Sequence, residues 1–255
     1  MHVISMMLTV PFLIAYAFLL VTSVRALDDS KYLSRKRRDF TSMFTNRSIL
    51  AFGDSLTFGM NVLDSGLAPP HPYAIELRKL IDNIQIYVHE FGLSGEQTSG
   101  MLIRLPSVLK RFEMKTIKLA IILGGTNDLS HGDPTEILSN LIALHQIVHK
   151  VGTPSDPVFS IAIAIPDLRW DIDHSKRHQI NRGLFEYAQK CNHLVHYRDF
   201  DHLFNQSIKE NHKYWSVDMV HFSALGYDEI GRHLYNDIIN IAHRASVSSN
   251  FGEMC

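Results

Sequence analysis

The sequence predicts an α/β protein: a three-layer α/β/α sandwich built on a mostly parallel, five-stranded sheet. Three observations lead there. Five short apolar runs rich in Ile, Val, Leu, Phe and Tyr recur along the chain. Between them lie segments with apolar residues every three or four positions, and polar turn signals separate the two kinds. Strands that alternate with helices pair in parallel, because each crossover helix carries the chain back to the same end of the sheet, and both faces are then covered.

The strands are expected at Ser48–Phe52, Ile84–Phe91, Leu119–Leu123, Val158–Ile165 and Leu194–Tyr197. Ala74–Ile81 follows Pro72, whose fixed φ suits a first helical turn. Further helices are expected from Thr98 to about Phe112, over Thr135–Lys150 and over Lys176–Lys190. In the second of these Ile137, Leu141, Leu144 and Val148 keep helical spacing. The last helix should begin at a Ser223 cap and bury Ile230, Leu234, Ile238 and Ile241 on one face.

At 255 residues, 45% hydrophobic and 20% charged, the chain has the composition of an ordinary globular protein with one sizeable core. A formal net charge of −1 gives no concentrated basic face for nucleic acid. No Walker sequence, dinucleotide fingerprint or internal repeat is present. The folded domain is expected over residues 47–245, with 246–255 as a C-terminal tail.

Met6 to Val21 is almost continuously apolar, and Val24-Arg25-Ala26 places small residues where a signal peptidase needs them. Residues 1–26 therefore read as a signal peptide, which sends the chain into the secretory pathway. The rival is an uncleaved signal anchor; Thr9, Pro11, Thr22 and Ser23 make the stretch a mediocre span. Residues 27–46 read as a basic linker or propeptide, with Arg35-Lys36-Arg37-Arg38 either a processing site or a solvated run. Asn46 and Asn205 head glycosylation sequons, and the polar surroundings of Asn205 favour it. Cys191 and Cys255 are the only cysteines and can pair, but two do not make a disulfide framework.

Four segments carry chemistry. The first strand stops at Gly53-Asp54-Ser55-Leu56, putting a hydroxyl at the carboxyl end of a strand, where open α/β sheets hold their ligands. Alone, these are ordinary turn residues. Glu90–Thr98 follows the second strand and contains Gly92, Ser94 and Gly95, which either ease a tight turn or bring a backbone N–H to a reacting oxygen. Leu123-Gly124-Gly125-Thr126-Asn127-Asp128 follows the third, where Asn127 either caps a turn or donates its amide. Asp218 and His221 stand three residues apart before the final helix, a spacing at which both side chains can face one point. His145/His149 and His174/His178 stand four apart on expected helices; without a zincin Glu they read as solvated helix faces and not as metal ligands. No Gly-x-Ser-x-Gly elbow is present, which disfavours the α/β-hydrolase fold.

Taken together and in this order, the four segments resemble the sequence blocks of the SGNH, or GDSL-type, esterase and lipase superfamily, from about Ile49 to the last helix. The resemblance implies a flavodoxin-like sandwich and a serine hydrolase of carboxylic esters, lipid or acetyl. Ser55 matches the nucleophile, His221 its general base and Asp218 the orienting carboxylate. The Ser55 and Gly95 N–H groups and the Asn127 amide match the oxyanion donors, with Gly92 and Ser94 matching less well. The scheme calls for no cofactor and no metal. Its partner is a small-molecule or lipid ester, with membrane-surface contact only through the substrate. The alternatives are an acyltransferase or a ligand-binding protein on the same fold. The loops Met60–His71, Ser130–Pro134 and Asp167–Asp173 should shape the pocket, and the lack of a long apolar lid favours short or medium acyl groups.

Overall fold

Five strands pair in parallel throughout: β1 (Arg47–Gly53), β4 (Ile86–Gly92), β5 (Ile117–Leu123), β6 (Phe159–Ile163) and β7 (Val195–Arg198). The computed structural model describes residues 30–82, 85–112, 116–168 and 174–247. Within these, a hairpin of β2 (Val62–Leu63) and β3 (Gly66–Leu67) stands apart from the main sheet. The main sheet runs β4-β1-β5-β6-β7. The chain starts at β1, steps one way to β4, then crosses back to lay down the rest. The reversal falls between β1 and β5, and ligands of such sheets sit beyond the carboxyl ends at that point.

The register makes those ends level. Gly53, the last residue of β1, lies opposite Gly92 of β4 and Leu123 of β5. Three loops therefore leave the sheet at one height and meet. Space there is tight: a Cβ on Gly53 would stand 2.1 Å from the Leu123 carbonyl oxygen, and one on Gly92 would stand 2.1 Å from the Phe58 nitrogen.

Helices cover both faces. α3 (Ala74–Ile81) packs with α8 (Ala224–Val247) on one side, and α4 (Thr98–Arg111), α5 (Pro134–His149) and α6 (His174–Lys190) pack in sequence on the other. The inner strands β1, β5 and β6 are buried on both sides by this arrangement, which explains why they read as continuous apolar runs, whereas the edge strands β4 and β7 are only partly covered. The expected face of α8 holds, with Ile230, Leu234, Ile238 and Ile241 all in the core. Ser223 caps that helix, its Oγ accepting the Gly226 N–H at 3.2 Å. The short α2 (Ser55–Phe58) and α7 (Asp201–Phe204) complete the elements used below.

Three expectations change. Residues 30–44, within the 27–46 stretch read as a basic linker or propeptide, form a helix, α1. Phe40 and Phe44 enter the core, Phe40 meeting Tyr235, and Asp39 pairs with His243 of α8 at 2.8 Å. Two apolar residues one turn apart are a faint signal among so many charges. Arg35, Arg37 and Arg38 remain exposed, but a protease cutting after Arg38 would have to open this helix. Second, His145 and His149 are not solvated: both are buried, and both bond Ser160 Oγ of β6, at 2.8 and 3.0 Å. Burial lowers His145 to about 3 and His149 to about 4, so both are neutral imidazoles. His174 and His178 are exposed as expected. Third, the two sequons exchange places in accessibility, Asn46 being exposed in a left-handed turn and Asn205 half-buried. The expected signal peptide, Ile84, Trp170 and Cys255 lie outside the described residues.

Candidate active site

The β1 strand ends at Gly53, and Asp54 caps the four-residue helix α2 by accepting the Leu56 N–H on Oδ1 at 2.9 Å. That cap turns the chain sharply and leaves Ser55 as the first helical residue at the strand's carboxyl end. Ser55 is recessed, keeping 4% of its surface. Its Oγ lies 2.9 Å from His221 Nε2.

His221 arrives from the other end of the chain on the loop before α8. Met219, in the left-handed region with φ 55, tightens that loop. Asp218 then folds back on it: Oδ1 accepts the Val220 and His221 backbone N–H groups at 3.0 Å each, and Oδ2 receives His221 Nδ1–H at 2.7 Å. The last bond puts the imidazole proton on Nδ1 and leaves Nε2 as an acceptor for the Ser55 hydroxyl. Burial raises the Asp218 carboxyl, but the His221 ring and the two backbone donors outweigh it and hold the group below its usual range. It is a carboxylate.

Ser216 clasps this loop to the β2–β3 hairpin. Its Oγ lies 3.0 Å from both Asn61 Oδ1 and the Phe222 carbonyl oxygen, and accepts the Val62 N–H at 3.1 Å. The hairpin, within the loop expected to shape the pocket, carries exposed Leu63 and Leu67.

Gly95 and Asn127 come from the two neighbouring loops. In the first, Glu96 N–H bonds the Leu93 carbonyl at 3.2 Å, and Gly95 holds φ 78 at the position of the turn that demands it. In the second, Asn127 Nδ2 donates to the Glu96 carbonyl at 2.9 Å, tying the loops together. An amide NH2 carries two donors, and this bond occupies one. Gly92 and Ser94 do other work, Gly92 giving α2 room and Ser94 Oγ meeting Met60 Sδ at 3.3 Å.

The model of the GDSL-like lipase/acylhydrolase family matches residues 51–229, well over half of the chain. The chain belongs to this family. Its members hydrolyse carboxylic esters, and this family member is assigned to that class of enzyme. No curated protein matches it. Among solved structures, a lipase/acylhydrolase from Enterococcus faecalis shares 22% identity at a TM-score of 0.61, covering 76% of this chain and 96% of that one. A putative arylesterase from Agrobacterium tumefaciens shares 23% at 0.61, covering 76% and 99%. A carbohydrate acetylesterase from Sinorhizobium meliloti shares 22% at 0.59, again covering 76% and 99%. Likeness at this level establishes the fold.

This GDSL-like chain also holds polar residues at the site that its sequence did not single out. Thr98, at the start of α4, donates to Asp128 through its N–H at 3.1 Å and its hydroxyl at 2.8 Å, latching α4 to the Asn127 loop. Asp54 Oδ2 is buried with no hydrogen-bond partner among the described residues. Burial raises the Asp54 carboxyl to about 7; the Leu56 N–H opposes this, and the nearby Asp128 and Glu96 charges add to it. Arg104 reaches Glu96, Phe91 and Gly53 from the middle of α4, and no local pattern marks it. Among the described residues, no group of three or more His, Cys, Asp or Glu is placed to hold a metal ion. Two cavities among the described residues, of about 460 and 480 Å³, lie at the opposite, amino end of the sheet.

Proposed function

We propose that this family member is a serine hydrolase that cleaves carboxylic esters through an acyl-enzyme on Ser55. The observation that carries the reading is the continuous hydrogen-bonded series Ser55–His221–Asp218 at the carboxyl end of β1. A serine hydroxyl is hardly ionised at neutral pH, so a base must take its proton as it attacks. His221 Nε2 takes the Ser55 proton while Oγ adds to the ester carbonyl carbon. Asp218 holds the ring and stabilises the imidazolium. The Ser55 and Gly95 N–H groups and the second Asn127 amide hydrogen receive the carbonyl oxygen as it becomes an oxyanion. The C–O bond then breaks and His221 returns the proton to the departing alcohol. Water repeats the sequence in reverse roles and releases the carboxylic acid.

The substrate is a short or medium acyl ester. The recessed Ser55 and the small hairpin rim support this, as do solved neighbours described as an arylesterase and a carbohydrate acetylesterase. The protein works in the secretory pathway after removal of residues 1–26, a reading supported by the apolar run Met6–Val21 and the small residues of Val24-Arg25-Ala26. The test is turnover on a series of p-nitrophenyl esters from acetate to laurate, with mass mapping of a fluorophosphonate adduct. Labelling of Ser55 and preference for the short esters support the reading; wild-type turnover by Ser55→Ala refutes it. Product analysis with added alcohol separates hydrolysis from acyl transfer.

A further inference from the structure

Arg104 joins two of the three strand ends at this corner, bonding Glu96 and the Phe91 carbonyl on the β4 side and the Gly53 carbonyl at the end of β1. Its Nε donates to Glu96 Oε1 and Oε2 at 2.8 and 3.0 Å, and Nη2 reaches the same carboxylate. Nη1 donates to the Phe91 carbonyl at 3.1 Å, at the carboxyl end of β4. Nη2 donates to the Gly53 carbonyl at 3.0 Å, two residues before Ser55. The guanidinium lies over the Phe52 ring at 4.2 Å, so its plane is fixed from a further side. Glu96 is thereby held through its side chain by Arg104 and through its carbonyl by Asn127 Nδ2. It is also the residue directly after Gly95.

The geometry points to Arg104 as a positioning residue for oxyanion stabilisation, acting through Glu96 on Gly95 and Asn127. This rests on the acyl-enzyme reading above. The reason is electrostatic as well as geometric. Glu96 adds its negative charge to a corner that already holds Asp54 and Asp128, and the Glu96 side chain keeps only 8% of its surface. A buried carboxylate without its cation leaves such a place, or draws in water and protons. Either movement carries Gly95 and the Glu96 carbonyl with it, and Asn127 loses the acceptor that sets its amide plane. Oxyanion donors act only where the oxygen arrives, so a shift near 1 Å costs on the order of a hundredfold. Lysine cannot substitute, because one ammonium cannot meet Glu96, Phe91 and Gly53 in fork geometry together.

The test compares Arg104→Gln, Arg104→Lys and Glu96→Gln in the full chain on p-nitrophenyl acetate, at a temperature well below each variant's Tm. The expected result is a kcat roughly ten- to a hundredfold lower with KM changed less than about twofold, and slower fluorophosphonate labelling of Ser55. In an Asn127→Ala background the Arg104 effect should shrink, because the group it positions is gone. A kcat within about twofold of wild type in the folded variants, or full additivity with Asn127→Ala, overturns the inference. If Arg104→Gln does not fold, Arg104→Lys and Glu96→Gln carry the same comparison. Wild-type activity of Ser55→Ala would instead sink the underlying mechanism, which separates the two failures.

Discussion

His221 Nε2 stands 2.9 Å from Ser55 Oγ although 166 positions separate the two residues in the chain. The contact is held at both ends: α2 is capped by Asp54, and the His221 loop is wrapped around the Asp218 carboxylate. Replacing either partner should therefore remove activity without unfolding the protein. Ser55→Ala and His221→Ala are expected to lower kcat on p-nitrophenyl acetate by on the order of a thousandfold or more, with an unchanged circular dichroism spectrum.

Asn127→Ala removes a donor that the proposed mechanism uses only as charge develops on oxygen. A loss of about a hundred- to a thousandfold should appear in kcat with little change in KM. A change confined to KM would assign Asn127 to substrate binding instead.

Gly92 and Gly95 should answer differently to a methyl group. Gly92→Ala drives a Cβ to 2.1 Å from the Phe58 nitrogen, so α2 cannot keep its seat and folded yield should collapse. Gly95→Ala meets open space but sits at φ 78, which costs about 1–2 kcal/mol. It should fold and lose kcat. Soluble expression, Tm and turnover read both.

Asp54 predicts a loss of stability with rising pH. Its folded value, about 7, lies above the ordinary 3.8, so the folded state holds the proton longer than the unfolded chain does. The stabilisation is complete below about 4 and is lost as pH rises toward 7, at up to about 1.4 kcal/mol per pH unit. Asn at this position still offers an oxygen to the Leu56 N–H but does not titrate. Between pH 4.5 and 7 the difference in unfolding free energy, Asp54→Asn minus wild type, should grow with pH.

The buried histidines pull the other way. His145 and His149 are lowered to about 3 and 4 from 6.5, so the unfolded chain takes up protons first as pH falls. Their contribution is full above about 6.5 and is lost as pH drops toward 4, again at up to about 1.4 kcal/mol per pH unit for each. Chemical denaturation of His149→Gln between pH 7 and 5 should show a shallower fall than wild type.

The strands and large helices were legible because parallel strands buried on both faces must be apolar throughout, and α8 must alternate to bury Ile230, Leu234, Ile238 and Ile241. The candidate site residues were legible for a related reason: Ser55, Gly95 and Asn127 each lie in the loop that follows a strand, so short motifs mark them. The β2–β3 hairpin escaped notice because two-residue strands carry no period. Helix α1 escaped because its polar residues outnumber the Phe40–Phe44 pair that anchors it.

By itself, then, the sequence determined the α/β/α sandwich, the element order and the candidate residues, since hydrophobic period and turn chemistry are local properties. Tertiary structure decided what depends on residues far apart in the chain. It levelled Gly53, Gly92 and Leu123, brought His221 to Ser55, and turned His145 and His149 inward onto Ser160. It also set Arg104 among Gly53, Phe91 and Glu96. A helical period tells which face is apolar, but not which polar group on a neighbouring element will satisfy a buried side chain; only the packing of the whole chain settles that.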